Sequence, residues 1–588
     1  MLLDLHELPA EGANFDVVVL GAGGAGMAAA LCAAIDGARV LLVERTEFVG
    51  GTTALSGGTT WIPGTRHGAA VGAADTHAAA AQYLDTAVGD RAPQALRRAF
   101  LAHGPEAVVH VEANSAVKFR AYPLHPDYLS ELPGSTVKGR ALEPLPFDGR
   151  QLGPLLALVR PPIPEFTVLR GMMVDRTDIF HLLRMTRSAA SFRHSAGILA
   201  RHGADLLRYR RGTRLVMGNA LVARLLHSLA QRDNVSLLVG TAVERMHCGG
   251  AGVTAVTLAQ AGERRTVRVS GGVILATGGF NRHPELRKQM LPGIPVEWCP
   301  AATGHTGHAH DLVRPLGAHY GEGAQSHAFW APVSLRSRAD GGTGAFPHFL
   351  MDRGKPGMIA VDKSGRRFVN ETTSYHLFAL AMQQRNTTTA AIPAYLIADT
   401  DAVRKYGIGM VRPGGKHLAS FIADGYLTEA ATLDGLAAKL GVDGGALRKS
   451  VTRFNEYAQA GVDPEFHRGT TAYERNLGDA AWKGPNPCLG PLQQPPFYAV
   501  RLYPGDIGAA TGFATDGEAR VLDTGDQPIA GLYAVGNDMQ SVMGGVYTGP
   551  GITIGPGLVF GYLAGRHAAE RSKAGIPVIA PATLQGSA

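Results

Sequence analysis

Cysteine is scarce in this chain: Cys32, Cys248, Cys299 and Cys488 are the four in 588 residues, and they lie far apart. No C-x-x-C pair and no Cys/His metal spacing occurs, so a disulfide framework is not expected and a reducing, cytoplasmic setting is. Long apolar runs are missing as well. None approaches the ~18 uninterrupted apolar residues of a membrane span. The opening MLLDLHELPAEGANFDVVVL lacks the basic start, apolar middle and small-residue cleavage site of a secretory leader. Aromatics make up 7% of the chain and the net charge is a modest +7. Much of the arginine gathers at Arg176, Arg184, Arg187, Arg193, Arg201, Arg208, Arg210, Arg211 and Arg214, without interleaved aromatics or a recognisable nucleic-acid module. No nucleic-acid partner is expected. The segment reads as a solvated helical face, with peripheral contact to a membrane or a partner as the sharper alternative.

Glycine, by contrast, is abundant. Its 76 residues cluster in short motifs and follow no collagen-like period, which points to backbone approaching a ligand in several places. The length exceeds the ~250–300 residues at which a single core stops growing, so two or more domains are expected. FDVVVLGAGGAGMAAALCAAIDGARVLLVER, from residue 15, reads as strand, tight turn, helix and strand. Gly21, Gly23 and Gly26 give G-x-G-x-x-G at the turn, with Gly24 and Ala25 between them. Such glycines allow a tight turn, close approach of backbone to a pyrophosphate, and close helix–strand packing. The helix N-terminus offers free N–H groups to the phosphates. Glu44 ends the next strand, placed for an adenosine ribose, with Arg45 beside it.

The loop after Glu44 separates FAD from NAD. Gly51, Thr52, Thr53, Ser56, Gly57 and Gly58 in RTEFVGGTTALSGGTTWIPG suit a second ligand portion such as a flavin. VILATGGFNRHPEL supplies Ala276, Thr277 and Gly278 at a strand end, GLYAVGND supplies Gly536 and Asn537, and Val243 is assigned to the same site. The expected cofactor is FAD, bound without a covalent link. Because these elements occur at both ends of the chain, the expected fold is α/β: a Rossmann-like FAD-binding domain (14–325 and 505–575) with an inserted α+β catalytic cap (326–504). His305, His308 and His310 lack a carboxylate or cysteine to complete a ligand set, so no metal is expected.

In this order the motifs resemble the FAD-dependent 3-ketosteroid dehydrogenases, nearest to the Δ1-dehydrogenases, within the fumarate reductase/succinate dehydrogenase flavoprotein superfamily. SGGTTWIPG, DYLSELPGSTVKGRALEPLPFDGRQLG, GRRFVNETTSYH and GNDMQSVMGGVYTGPGITIGPGLVFGYLAG carry the likeness. The resemblance implies that Tyr375 takes a proton from C2 of a 3-keto steroid-like substrate. It implies that Tyr128 hydrogen-bonds to Tyr375 and makes its phenolate easier to form. It also implies that Tyr547 and the Gly551 N–H hold the ketone oxygen and that a hydride passes from C1 to flavin N5. Thr553 and Ile554 open a helix facing the flavin. A quinone-type electron acceptor fits this pattern. Dehydrogenation at C4–C5 and a fumarate reductase-like ene-reduction are the rival activities; the second needs an arginine donor, and the C-terminal segment has none before Arg566. An electron-transferring flavoprotein subunit and a flavin protein without turnover are the rivals of other classes.

Overall fold

Val17, Val18, Val19 and Leu20 are buried in the strand Asn14–Leu20. A strand apolar on both faces needs cover on both, which is the situation of a parallel layer between helices. It pairs in parallel with Val40–Val43 on one side and Glu263–Leu275 on the other. Val235–Leu238 extends the layer beyond Val40–Val43, and Pro528–Ala534 pairs in parallel with the end of Glu263–Leu275. Strands from both ends of the chain therefore share one sheet. The first part of Glu263–Leu275 pairs instead with Gly252–Gln260, which continues antiparallel to Ala242–Gly249. This is a computed structural model describing residues 1–575, apart from 11, 210, 251, 323–324, 339–340 and 350–351. Arg210 of the arginine-rich segment lies outside the described residues.

The first helix, Gly24–Ile35, is alanine-rich and almost wholly buried. Its small side chains admit the C-terminal helix, Ile554–Lys573, whose Gly565 lies so close that a Cβ there would fall 2.4 Å from the Ala29 carbonyl oxygen. The end of the chain is thereby packed onto the helix that follows its first strand.

A second, antiparallel sheet runs in the order Thr343–Pro347, Ala328–Ser337, Phe497–Ala509, Ala394–Asp399, Met358–Val361, with Leu427–Ala430 also on Phe497–Ala509. Phe497–Ala509 runs across the 504/505 margin expected from the sequence. The helix Tyr375–Asn386 lies against this sheet. The architecture is thus α/β, a Rossmann-like layer joined to an α+β layer, and the two meet where the strands of the first sheet end. Among the described residues no helix is long and apolar enough to cross a membrane.

Candidate active site

A cavity of about 1290 Å³, open solvent at its mouth included, runs along the C-terminal ends of the parallel strands. Loops at parallel strand ends are where open α/β sheets bind ligands. Gly21, Gly23, Gly24 and Ala25 line it from the first turn, Glu44 and Arg45 from the second strand, and Gly51, Thr52, Thr53 and Ser56 from the loop after it. Val243, Ala276, Thr277, Gly278, Gly536, Asn537, Thr553 and Ile554 complete the expected set that borders the cavity. Gly26, Gly57 and Gly58 do not line it.

The three glycines of the G-x-G-x-x-G turn separate by what a side chain would meet. A Cβ at Gly21 would lie 2.2 Å from the Ala276 carbonyl oxygen, and one at Gly26 would lie 1.9 Å from the Gly21 carbonyl oxygen. Both are needed by the protein's own packing. Gly23 is not: its φ is −76°, and a Cβ there would meet no atom of the described residues within 4 Å. Neither conformation nor packing requires glycine at this helix cap, whereas close approach of a phosphate to the backbone does. His305 adds a second sign of a missing neighbour. Buried against the cavity, it meets Thr52 Oγ1 through Nε2 at 3.2 Å, and its Nδ1 has no partner among the described residues. Burial pushes its pKa down to about 4, so the ring is neutral near pH 7. The residues present therefore fit an elongated dinucleotide.

Several contributors were not legible beforehand. Asp538 is buried and accepts from the Thr277 amide, the Thr277 hydroxyl at 2.9 Å, the Gly279 amide at 2.8 Å and His310 Nε2 at 2.7 Å. It ties the ends of two adjacent strands together beneath the cavity. The G-N-D triplet was visible in the sequence, but nothing in it indicated that the aspartate reaches 261 residues back. The histidines near 305–310 diverge: His308 meets the Val243 carbonyl at 3.1 Å while His310 faces Asp538. Gly58, expected to wrap the cofactor, sits at φ +68° against the start of the helix Met217–Ala230.

At one end of the cavity three phenols meet. Tyr128 Oη donates to Tyr375 Oη at 3.1 Å. The Tyr547 ring lies 5.0 Å from that of Tyr375 and stacks on Tyr128 at 5.5 Å, and Tyr547 itself borders the cavity. Phe329 and Phe349 pack edge-on against Tyr547 and Tyr375. Tyr473, which the sequence reading did not single out, packs its ring 4.6 Å from Tyr128.

Each phenol is held by a different part of the chain. The Tyr128 amide donates to the Thr548 carbonyl at 3.0 Å, and Tyr83 Oη donates to the same oxygen at 2.5 Å, so the Tyr128 and Tyr547 segments are bonded directly. Trp61 Nε1 and Arg140 fix Asp127, beside Tyr128, at 2.8 and 2.7 Å. Gly551 has φ +92°, and a Cβ there would fall 2.1 Å from the Thr59 carbonyl oxygen. Only glycine suits such a turn. The Gly551 carbonyl accepts from Trp61 N at 3.2 Å, while its amide donates to no described protein atom.

The R-F-V-N-E run ahead of Tyr375 acts as its foundation. Glu371, fully buried, pairs with Arg367 at 2.7 Å and Arg468 at 3.0 Å. Arg367 also pairs with Asp463 at 2.8 Å. Those two guanidinium groups hold the Glu371 carboxyl at a pKa of about 2, against the opposing effect of burial. Arg353, also fully buried, donates to the carbonyls of His348, Phe349, Glu371 and Thr373 at 2.6–3.2 Å and has no carboxylate within 4 Å among the described residues.

Burial dominates the electrostatics of the phenols. It lifts Tyr375 and Tyr128 well above the ordinary tyrosine range and pushes Tyr547 up to about 12. The expected Tyr128–Tyr375 hydrogen bond is present, yet in the resting site it eases the penalty on Tyr128 and adds to that on Tyr375, so Tyr375 rests as a neutral phenol. The Arg353 charge opposes the effect of burial on Tyr128 and Tyr473.

Comparison with known proteins places these features in context. The family described as FAD binding domain matches residues 16–554. A protein named 4-oxocyclohex-2-ene-1-carboxylate 5-dehydrogenase from Sinomonas cyclohexanicum is 39% identical, over 95% of this chain and 94% of its own. A 3-oxosteroid 1-dehydrogenase from Mycolicibacterium smegmatis is 37% identical, over 94% and 97%. The crystal structure of 3-ketosteroid Δ1-dehydrogenase from Sterolibacterium denitrificans, in complex with 1,4-androstadiene-3,17-dione, superposes with a TM-score of 0.88 at 33% identity, covering 95% of this chain and all of that one.

Proposed function

Because this chain belongs to the FAD-binding flavoprotein family that includes the 3-oxosteroid 1-dehydrogenases, we propose that it dehydrogenates a 3-ketosteroid-like substrate, introducing a C1–C2 double bond. The observation that carries the reading is the meeting of Tyr128, Tyr375 and Tyr547 beside the cavity that Tyr547 borders, with the Gly551 amide, four residues after Tyr547, lacking a partner among the described residues.

Removing hydrogen from the carbon pair beside a ketone takes a proton from the carbon α to the carbonyl and a hydride from the carbon β to it. Tyr547 Oη and the Gly551 N–H donate to the ketone oxygen. Fixed donors aimed at a developing enolate act as an oxyanion hole, each worth about 10²–10³ in rate. The scarce phenolate form of Tyr375, its own proton already lost to solvent, takes the C2 proton, and Tyr128 donates a hydrogen bond to that phenolate. FAD, when bound, supplies the acceptor for the hydride that leaves C1. Gly23 and the first-helix N-terminus suit its pyrophosphate and Glu44 its ribose, and His305 offers Nδ1 to it. Phe329 and Phe349 set apolar rings edge-on against Tyr547 and Tyr375, which lowers the polarity around the phenols.

The site favours an uncharged ketone. A dicarboxylate needs a cation beside the reacting carbons; Arg353 has its donors taken by backbone carbonyls, and Arg566 is engaged with Asp36 at 3.1 Å. One specific comparison supports a second substrate class: the 39% identical relative is named for a 4-oxocyclohexene carboxylate, in which the same carbon pair lies beside a ketone. Anaerobic mixing of the yellow holoenzyme with saturated and 4-ene 3-ketosteroids, and separately with 4-oxocyclohexanecarboxylates, decides between them. Bleaching by the steroids with a new C1–C2 double bond in the product supports the proposal. Bleaching by the monocyclic acids alone, or a product unsaturated at C4–C5, overturns it.

A further inference from the structure

The arginine-rich segment plays no part in this chemistry, and its burial pattern runs opposite to that of an ordinary surface element. Phe147–Asp148 pairs with Arg214–Leu215, closing the chain between them into one excursion whose first part, through Leu152, Leu156 and Val159, still packs in the main core. The outer part of this excursion holds two helices, Arg176–Leu183 and Ala189–Arg208. A helix on a globular surface buries its apolar stripe and exposes its polar one. Here the buried residues of Ala189–Arg208 are Ser191, Ser195, His202 and Asp205. Phe192 and Leu206 point outward instead, at heptad spacing with the half-buried Leu199 between them, and Leu207 beside them is 92% exposed. Phe180 and Leu183, three apart on the preceding helix, are 48% and 73% exposed. With Leu169, this one excursion carries six of the eleven large apolar side chains exposed among the described residues. Apolar surface concentrated in this way marks an interaction face.

Charge indicates what covers it. The acidic residues of the hairpin, Asp175, Asp178 and Asp205, are all buried. Asp178 pairs with Arg214 at 2.6 Å and His194 at 2.9 Å, and Asp205 accepts from Thr213. Arg170, Arg184, Arg187, Arg193 and Arg208 are exposed, so the outward charge is of one sign. Arg184 lies over the Phe180 ring at 4.2 Å, its stem following the apolar surface. Apolar side chains within a ring of arginines suit the boundary between acyl chains and anionic headgroups. We propose that this hairpin docks the enzyme on an anionic lipid surface, with Phe180, Leu183, Phe192 and Leu207 entering the acyl boundary and the arginines meeting phosphates. An apolar ketone partitions into such a surface, so docking would place the enzyme where substrates of the proposed class concentrate.

The test is flotation of holoenzyme with vesicles of phosphatidylcholine alone and of phosphatidylcholine mixed with phosphatidylglycerol. Binding is expected to the anionic vesicles, to weaken at high salt, and to fall about tenfold or more in a Leu183→Glu/Leu207→Glu variant and in an Arg184→Ser/Arg187→Ser/Arg193→Ser variant. Both variants should retain the wild-type rate on a water-soluble ketone with a dye acceptor, which shows them folded and separates this proposal from the catalytic one. Equal or absent binding to the two vesicle types overturns it. So does light scattering that shows the wild type as a lipid-independent dimer and the Leu183→Glu/Leu207→Glu variant as a monomer, since the face would then serve a second copy of the chain.

Discussion

Tyr128 donates its phenolic hydrogen to Tyr375 across 3.1 Å, although 247 positions of sequence separate them. The base proposed for the reaction thus has its hydrogen-bond donor built into a different part of the chain from its own. Tyr375→Phe removes the oxygen that accepts both that hydrogen bond and the substrate proton. Flavin reduction in stopped flow should slow by about 10²–10⁴, with FAD content and ligand affinity close to wild type. A near-normal rate would take Tyr375 out of the mechanism.

Tyr547→Phe and Gly551→Ala should fail differently. The first deletes one donor to the ketone and should weaken ligand binding while slowing reduction by about 10²–10³. The second forces a side chain onto a φ of +92° and against the Thr59 carbonyl, so its signature is a lower Tm together with lost activity. If Gly551→Ala kept both its Tm and its rate, the turn would not be serving as described.

Burial holds Tyr375 above the ordinary tyrosine pKa of ~10, so the phenolate is scarce at neutrality and gains about tenfold per pH unit. The logarithm of kcat/KM should therefore climb with a slope near one toward alkaline pH. Stability moves the other way. A phenol whose folded pKa is raised stabilises the fold below the unfolded pKa of ~10, and that contribution is lost as pH rises beyond it. A rate profile flat from neutrality to pH ~9 would show that proton abstraction by Tyr375 does not limit the reaction.

Arg353 acts through its neighbours as a positioning residue. Its donors hold the carbonyls of Glu371 and Thr373, just ahead of Tyr375, and its charge favours the ionised form of Tyr128. Arg353→Met should lower the Tm and move the alkaline rate profile to higher pH. Arg353→Lys should restore the profile more than the Tm, because it keeps the charge but not the planar array of donors. A purely structural role would leave the pH profile of both variants unmoved.

Glu371 is the acid-sensitive point of the same loop. With a folded pKa of about 2, its contribution to stability is complete above the unfolded value of ~4.3 and is lost as pH falls through the folded value. Glu371→Gln leaves Arg367 and Arg468 short of a buried partner and should cost about 3–5 kcal/mol in a denaturant titration at neutral pH. Removing the carboxylate should also flatten the fall in stability between pH ~4 and ~2.

The sequence by itself determined the dinucleotide turn and the identity of the cofactor, because both rest on short-range order, whereas the three tyrosines were singled out only by the family resemblance. G-x-G-x-x-G has to be local, since a phosphate cradle is made from consecutive amides. The tertiary structure decided which glycines border the cavity and which serve packing, as Gly23 and Gly26 show at a separation of three residues. It also decided the parts played by Asp538, His305, Arg353 and Tyr473, none of which lies in a spacing that announces its partner. Spacing along a chain reports which residues share a helix face or a strand edge. It does not report which buried charge or phenol meets another across hundreds of residues, because that pairing is fixed only when two separately formed layers close on each other and every desolvated polar group must find its partner.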